Sequence, residues 1–233
     1  MARRLFGGPH HQIGLALSEL GTVHFRQGDF ARAAELQAES ASVFEQVYGS
    51  EHAAVAIARG NLAEAWYELG ELDRAKVDRR RALAQICAIF GEDSSRCAGQ
   101  HAGMGRIELG LSRIESAELH FREALVGYRH TLGDEHPDVA VTQAWLAESL
   151  RRQRRFEDAM GEMTAAATRI PTGVPGRQYH FMIIVELRAR LTCQIGQPAE
   201  CRERVLVADA ALAERYAGDH PRRRELARLV SGP

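Results

Sequence analysis

Between His52 and Phe90 the apolar residues fall into two helical stripes. Ala53, Ala54, Ala56, Ile57, Leu62, Ala63, Ala65, Trp66 and Leu69 recur at the three-and-four spacing of an amphipathic helix. Gly70 breaks that pattern. Leu72, Ala75, Ala82, Leu83, Ile86, Ile89 and Phe90 resume it on a second helix, which Gly91 stops. A glycine just past a helix end supplies a left-handed cap. Two helices of roughly 16 residues, each about 25 Å long, are therefore predicted to alternate with short turns. Nothing reads as a strand, because period-2 alternation is absent and β-branched clusters are rare.

The stripe is copied along the chain. Phe6-Gly7, Tyr48-Gly49, Phe90-Gly91 and Leu132-Gly133 recur at a spacing of 42 residues, and Tyr216 lies two periods after Leu132. His10, His52, His136 and His220 share one phase, at the start of first helices. A fixed period of this size means one supersecondary unit in tandem. Leu20, Leu62, Met104 and Leu146 hold a large apolar site on the first helix, followed by Gly21, Ala63, Gly105, Ala147 and Ala189. Ala33, Ala75, Ala117, Ala159 and Cys201 supply a small site on the second helix, and Ser40, Ala82, Ala124, Ala166 and Ala208 a third small ladder. Phe30, Leu72, Ile114 and Phe156 open the second helices. Large side chains beside small ones on adjacent helices predict ridge-and-groove packing.

The predicted fold is all-α, a right-handed α-solenoid of about five antiparallel helix pairs at 10–47, 52–89, 94–131, 136–173 and 178–215. Residues 1–9 read as the tail of an incomplete preceding repeat, 10–217 as the five repeats, and 218–233 as a partial sixth repeat or a capping helix. The stretch from Ile170 to Arg177 is the most irregular junction, where proline and glycine break the helix. Pro198 falls at the start of a second helix, where its missing N–H has no consequence.

The small–large ladder, the Gly-Asp-Phe turn at 28–30 and Ala33 resemble tetratricopeptide repeats. The usual unit of that family is 34 residues. Here it is 42, with Gly-Asp-Glu-His-Pro-Asp-Val-Ala at 133–140 and Asn-Leu-Ala-Glu-Ala-Trp-Tyr-Glu-Leu-Gly at 61–70, which resembles the kinesin-light-chain type, also common in bacterial multi-repeat proteins. The resemblance covers nearly the whole chain. Copies three and five depart most: Glu108 and Thr192 replace the aromatic held by Trp66, and Arg188 replaces the consensus leucine, so looser packing is expected there.

The resemblance implies a superhelix whose concave face, lined by first helices, binds a segment of another protein. It places Asn61, Glu64, Tyr67, Arg106, Trp145, Glu148, Arg151 and Arg190 in that groove, with Thr22 and Phe25 in the same rows. Asn61 matches the asparagine that the kinesin-light-chain type uses to hold peptide backbone. The same phase carries Glu19, Gly103, Trp145 and Leu187 in other copies, so an asparagine ladder is missing. Amide and guanidinium groups suit a peptide's carbonyls and carboxylates, and Tyr67 and Trp145 offer apolar anchors.

Composition narrows the alternatives. The chain has 233 residues, a formal charge of −1 and a pI near 6.8, which gives no general pull toward nucleic acid or an anionic membrane. No run approaches a membrane span, and the N-terminus lacks the apolar stretch of a signal peptide. The cysteines Cys87, Cys97, Cys193 and Cys201 show no paired metal spacing, so they are read as reduced, in a cytoplasmic setting. Cys193 and Cys201 flank a helix turn and are read as small packing residues rather than a bonded pair.

Other clusters resolve into the repeat. Arg151-Arg152-Gln153-Arg154-Arg155, Arg79-Arg80-Arg81 and Arg222-Arg223-Arg224 are read as solvated turns and helix ends rather than docking sites. Gly99, Gly103 and Gly105 follow no strand and precede no Gly-Lys-Ser/Thr, so they form no phosphate loop. No histidine pair with a nearby carboxylate and no nucleophile elbow stands out. The chain is therefore read as a nonenzymatic scaffold with no catalytic residue, metal or cofactor, whose partner is a protein or peptide. A second reading is the sensor or regulatory repeat module of a bacterial transcriptional or signalling regulator. Neither end shows a complete polar cap, which points to a longer protein or to self-association through the ends.

Overall fold

The computed structural model describes residues 10–170, 178–195, 198–214, 216, 218 and 220–231. The Phe6-Gly7 step, the 1–9 tail and the junction from 171 to 177 lie outside the described residues. The chain divides into two compact units, Met1–Arg113 and Ile114–Pro233. The first holds α1 (His11–Arg26), α2 (Phe30–Tyr48), α3 (Ala53–Glu68), α4 (Leu72–Phe90) and α5 (Ser95–Gly110). The second holds α6 (Ile114–Leu132), α7 (Pro137–Arg152), α8 (Phe156–Arg169), α9 (Gln178–Ile195), α10 (Pro198–Ala213) and α11 (Pro221–Ser231). No strand occurs among the described residues. Within each unit every helix packs on the next. In addition α1 touches α3 and α3 touches α5 in the first unit, while α7 touches α9 and α9 touches α11 in the second. Each unit thus has the predicted all-α build of helices packed in succession.

The repeat phase has a local cause at each turn. His10, His52, His136 and His220 cap their helices: each Nδ1 accepts the backbone N–H two residues on, at 3.3, 3.1, 3.2 and 3.3 Å. Such an acceptor satisfies one of the donors that a helix start leaves open. Ser94 does the same in the third copy, accepting from the Cys97 N–H at 3.1 Å. Tyr48 stacks on His52 with ring centroids 4.2 Å apart, and Tyr216 on His220 at 4.1 Å. Gly49, Gly91 and Gly133 stop the second helices at φ of 85°, 89° and 81°. Within the pairs, Gly28 and Gly70 turn the chain at φ of 82° and 80°, and Ser112 and Arg154 hold the same phase at 59° and 64°.

The small ladders are buried as the pattern requires. Ala33, Ala75, Ala117 and Ala159 are at most 1% exposed, and Ser40, Ala82, Ala124, Ala166 and Ala208 are fully buried. Leu62, Met104 and Leu146 are buried too, whereas Leu20 in the same phase is 46% exposed, since no described helix precedes α1. Ile57, Leu69 and Ile89, counted in the apolar stripes, lie on exposed faces. The two atypical copies are not open at their exchanged positions. Glu108 is buried with Lys76 Nζ 2.7 Å away, and Thr192 is buried as well.

The cysteines depart from the expectation. Cys87 is bonded to Cys97, and Cys193 to Cys201. Each bond spans one turn: Cys87 near the end of α4 meets Cys97 in the first turns of α5, and Cys193 near the end of α9 meets Cys201 at the start of α10. The reading of four reduced cysteines is thereby corrected. A short turn between antiparallel helices brings residues flanking it together, and sequence spacing alone does not reveal that. No helix is long and apolar enough to cross a membrane.

Candidate protein-binding face

Where the second helix of one pair meets the first helix of the next, two phases face each other, and their chemistry changes from copy to copy. In the first unit Gln37 and Asn61 line one pocket together with Gly21, Thr22, Phe25, Ala33 and Glu64. Gln37 is held there by Ser18, donating from Nε2 to the Ser18 carbonyl at 2.9 Å. It lies so close to α1 that a Cβ on Gly21 would sit 2.8 Å from Nε2. In the next layer Arg79 fills the space over Gly103, where a Cβ would come within 2.5 Å of the guanidinium carbon. In the second unit the same phases bring Phe121 and Trp145 into a stack with centroids 6.4 Å apart. Met163 and Leu187 follow, both buried.

A second phase carries charge of alternating sign: Glu64, Arg106, Glu148 and Arg190. In the first unit Glu64 pairs with both Arg106 and Arg79, and Arg79 Nη1 also donates to Gln100 Oε1 at 2.8 Å. Arg106 lies over the Tyr67 ring, 4.8 Å from its centroid. Burial opposes ionisation of Glu64, but Arg106 and then Arg79 outweigh it and hold the carboxyl at about 2. In the second unit Glu148 is 2% exposed and accepts from Arg151 Nε and Nη2 at 2.7 and 2.8 Å and from Arg152 Nε at 2.9 Å. Burial likewise opposes its ionisation, and Arg151 and Arg152 prevail, so its pKa is lowered. Arg190 bridges Glu186 at 2.9 Å and Glu225 at 2.5 Å, while Arg222 also reaches Glu186. These carboxylates oppose the effect of burial and raise the Arg190 pKa. Arg151 Nη1 donates in addition to Gln194 Oε1.

The predicted groove residues thus separate into two groups. Glu64, Tyr67 and Arg106 come together, as do Glu148 and Arg151, and in each cluster the carboxylate is held by two arginines. Trp145 is 8% exposed and packs as core rather than as an open anchor. Asn61 is half-buried in the pocket, and its side-chain amide makes no hydrogen bond to another described residue. Its amide offers two donors and an acceptor.

The arginine runs are corrected at particular members. Arg79 is 3% exposed and paired with Glu64. Arg151 and Arg152 hold Glu148, and Arg155 reaches Glu118 at 3.0 Å. Arg222 holds Glu186, and Arg223 holds Asp209 at 2.7 Å. The missed residues Gln37 and Arg79 share a phase with Phe121, Met163 and Val205. A polar member of an otherwise apolar core phase must find a buried partner, which is the signal that marks them.

Tetratricopeptide-repeat families match residues 12–86 and 103–138. No curated protein matches. Among solved structures, BtubC (BKLC) from P. vanneervenii is 19% identical, with a TM-score of 0.64 over 99% of this chain and 84% of that one. A Podosopora anserina kinesin light chain with nearly identical TPR-like repeats is 18% identical, with a TM-score of 0.65 over 89% of this chain and 98% of that one. A Rap protein complexed with competence and sporulation factor is 16% identical, with a TM-score of 0.68 over 92% of this chain and 62% of that one. Repeat phase, helix pairing and these matches agree: the chain carries tetratricopeptide repeats over 12–86 and 103–138, and its fold is like that of kinesin-light-chain-type repeats.

Proposed function

We propose that the chain is a noncatalytic scaffold that binds an extended segment of a protein or peptide on the face formed by α1 and α3. The observation behind this reading is the pocket at Asn61. Its amide lacks a partner among the described residues, and Phe25, Thr22 and the Gln37 side chain surround it. An extended segment presents backbone N–H and C=O groups that an amide can pair at once, and Phe25 offers an apolar contact beside it. Tyr67 and Arg106 flank the same face. Trp145 serves in this reading as core, and Glu148, Arg151 and Arg190 as the braced floor of the second unit, since each is already ion-paired. The Rap protein of similar fold was solved in complex with competence and sporulation factor, which supports a binding role for this architecture.

One finer reading goes with it. Self-association is proposed through α1, where Leu15, Leu20 and Val23 are 50%, 46% and 47% exposed; a monomer by light scattering at all concentrations contradicts that. The scaffold itself is tested by selecting peptides from a displayed random library and measuring their affinity for the wild type and for Asn61→Ala with Tyr67→Ala. Selected peptides should bind the double variant at least ~10-fold more weakly; unchanged affinity overturns the assignment of this face.

A further inference from the structure

The turn between α4 and α5 gathers four side chains of metal-binding type. Cys87 lies near the end of α4 and Cys97 in the first turns of α5, both buried, with Glu92 in the turn between them. His101 follows Cys97 by four residues, on the same face of α5. One ligand atom from each of the four lies within 4.8 Å of all the others. A tetrahedral zinc ion with sulfur and nitrogen ligands sets its ligand atoms about 3.3–3.8 Å apart, from bond lengths of roughly 2.0–2.3 Å. Opening the sulfur–sulfur bond lets the two sulfurs move to that spacing while each stays on its own helix.

The carboxylate adds a second argument. Glu92 Oε2 lies 3.5 Å from Cys97 Sγ. A disulfide sulfur has no proton to donate, and a bare thiolate there would repel the carboxylate. A divalent cation between them makes thiolate, carboxylate and imidazole attractive to one centre. Two thiolates, one imidazole and one carboxylate form a donor set suited to zinc. The other pair, Cys193 and Cys201, joins no such group among the described residues.

We propose that Cys87, Cys97, His101 and Glu92 form a redox-gated zinc site: a disulfide when oxidised, a four-ligand zinc clamp between α4 and α5 when reduced. In the reducing step a dithiol passes two electrons and two protons to the Cys87–Cys97 bond and becomes a disulfide itself. Zinc then displaces the two thiol protons to solvent, and its oxidation state does not change. Both states tie the same two helices. The α5 helix also carries Gly103 and Arg106, so the clamp holds the helix that builds the charged layer.

The test uses the full chain reduced with a water-soluble phosphine, which ends as the phosphine oxide, and then freed of metal. Zinc is titrated in competition with a chromogenic chelator, and cobalt is titrated to read thiolate-to-metal charge transfer. The reduced chain should take up one zinc per molecule with a thiolate–cobalt band, and the oxidised chain none at that affinity. Cys97→Ser and His101→Ala should lose that equivalent, whereas Cys193→Ser should keep it. The proposal is overturned if the reduced wild type fails to compete with the chelator, if oxidised and reduced chains bind alike, or if folded Cys97→Ser retains the site. The wild-type comparison stands without any variant. A reduced chain that loses helicity and does not regain it with zinc also overturns the proposal.

Discussion

Arg79 occupies the space that a side chain on Gly103 would fill: a Cβ built there meets the guanidinium carbon at 2.5 Å. Gly103 stands in the phase of Asn61, so this copy exchanges an asparagine for a buried arginine reaching in from the neighbouring helix. Gly103→Ala is expected to push Arg79 off Glu64 and Gln100 and to destabilise the protein by about 1–3 kcal/mol, the usual range for overpacking. Denaturant unfolding of Gly103→Ala, Arg79→Ala and the double variant checks this. The double should lose less than the two singles added, because the clash and the ion pair share one partner. Strict additivity contradicts the account.

That pair also shows which parts of the structure were legible beforehand. Helix pairs, capping glycines and alanine ladders follow from period and pattern, because each is a local property repeated in every copy. The histidine phase was visible as well, although its role as an Nδ1 acceptor was not. What stayed hidden lies in the differences between copies. Arg79 reads as one of three consecutive arginines until Gly103, some twenty residues on, is seen to make room for it. Phase finds Glu64, Arg106, Glu148 and Arg190 and assigns them to a partner, but only Glu64 and Arg106 pair with each other, while Glu148 and Arg190 are held by charges on other phases. The cysteine pairs escaped because closure across a turn depends on where two helix ends point.

Ser112 and Arg154 hold the turn phase of Gly28 and Gly70 with φ of 59° and 64°. A side chain in the left-handed region is unfavourable by roughly 1 kcal/mol relative to glycine. Ser112→Gly and Arg154→Gly are therefore expected each to raise stability by about 1 kcal/mol in denaturant unfolding. A loss of stability in both contradicts the turn assignment.

Ala75 is fully buried in the small ladder where α4 packs. Ala75→Leu is expected to destabilise by about 1–3 kcal/mol, since the added volume has no space to enter. A thermal melt unchanged from wild type would remove the packing argument for this ladder.

Glu64 is held at about 2, below its ordinary 4.5, by Arg106 and Arg79 against the opposing effect of burial. A lowered carboxyl stabilises the fold fully above pH 4.5, and that contribution disappears as pH falls toward 2. Glu148 and Glu186 are shifted in the same direction. Unfolding free energy measured between neutral pH and pH 2 should decline on the acid side. Glu64→Gln should be less stable at neutral pH and show a shallower acid slope. An identical slope in variant and wild type is the contradicting result.

In the proposed function the face of α1 and α3 around Asn61 receives an extended segment. The most direct measurement is a titration of the isotope-labelled chain with a library-selected peptide, followed by NMR. The Asn61 side-chain amide and the Thr22 and Phe25 backbone amides should shift first and most, and Asn61→Ala should abolish those shifts at the same peptide concentration. Shifts confined to the outer faces of α2 and α4, with Asn61 unaffected, would contradict it.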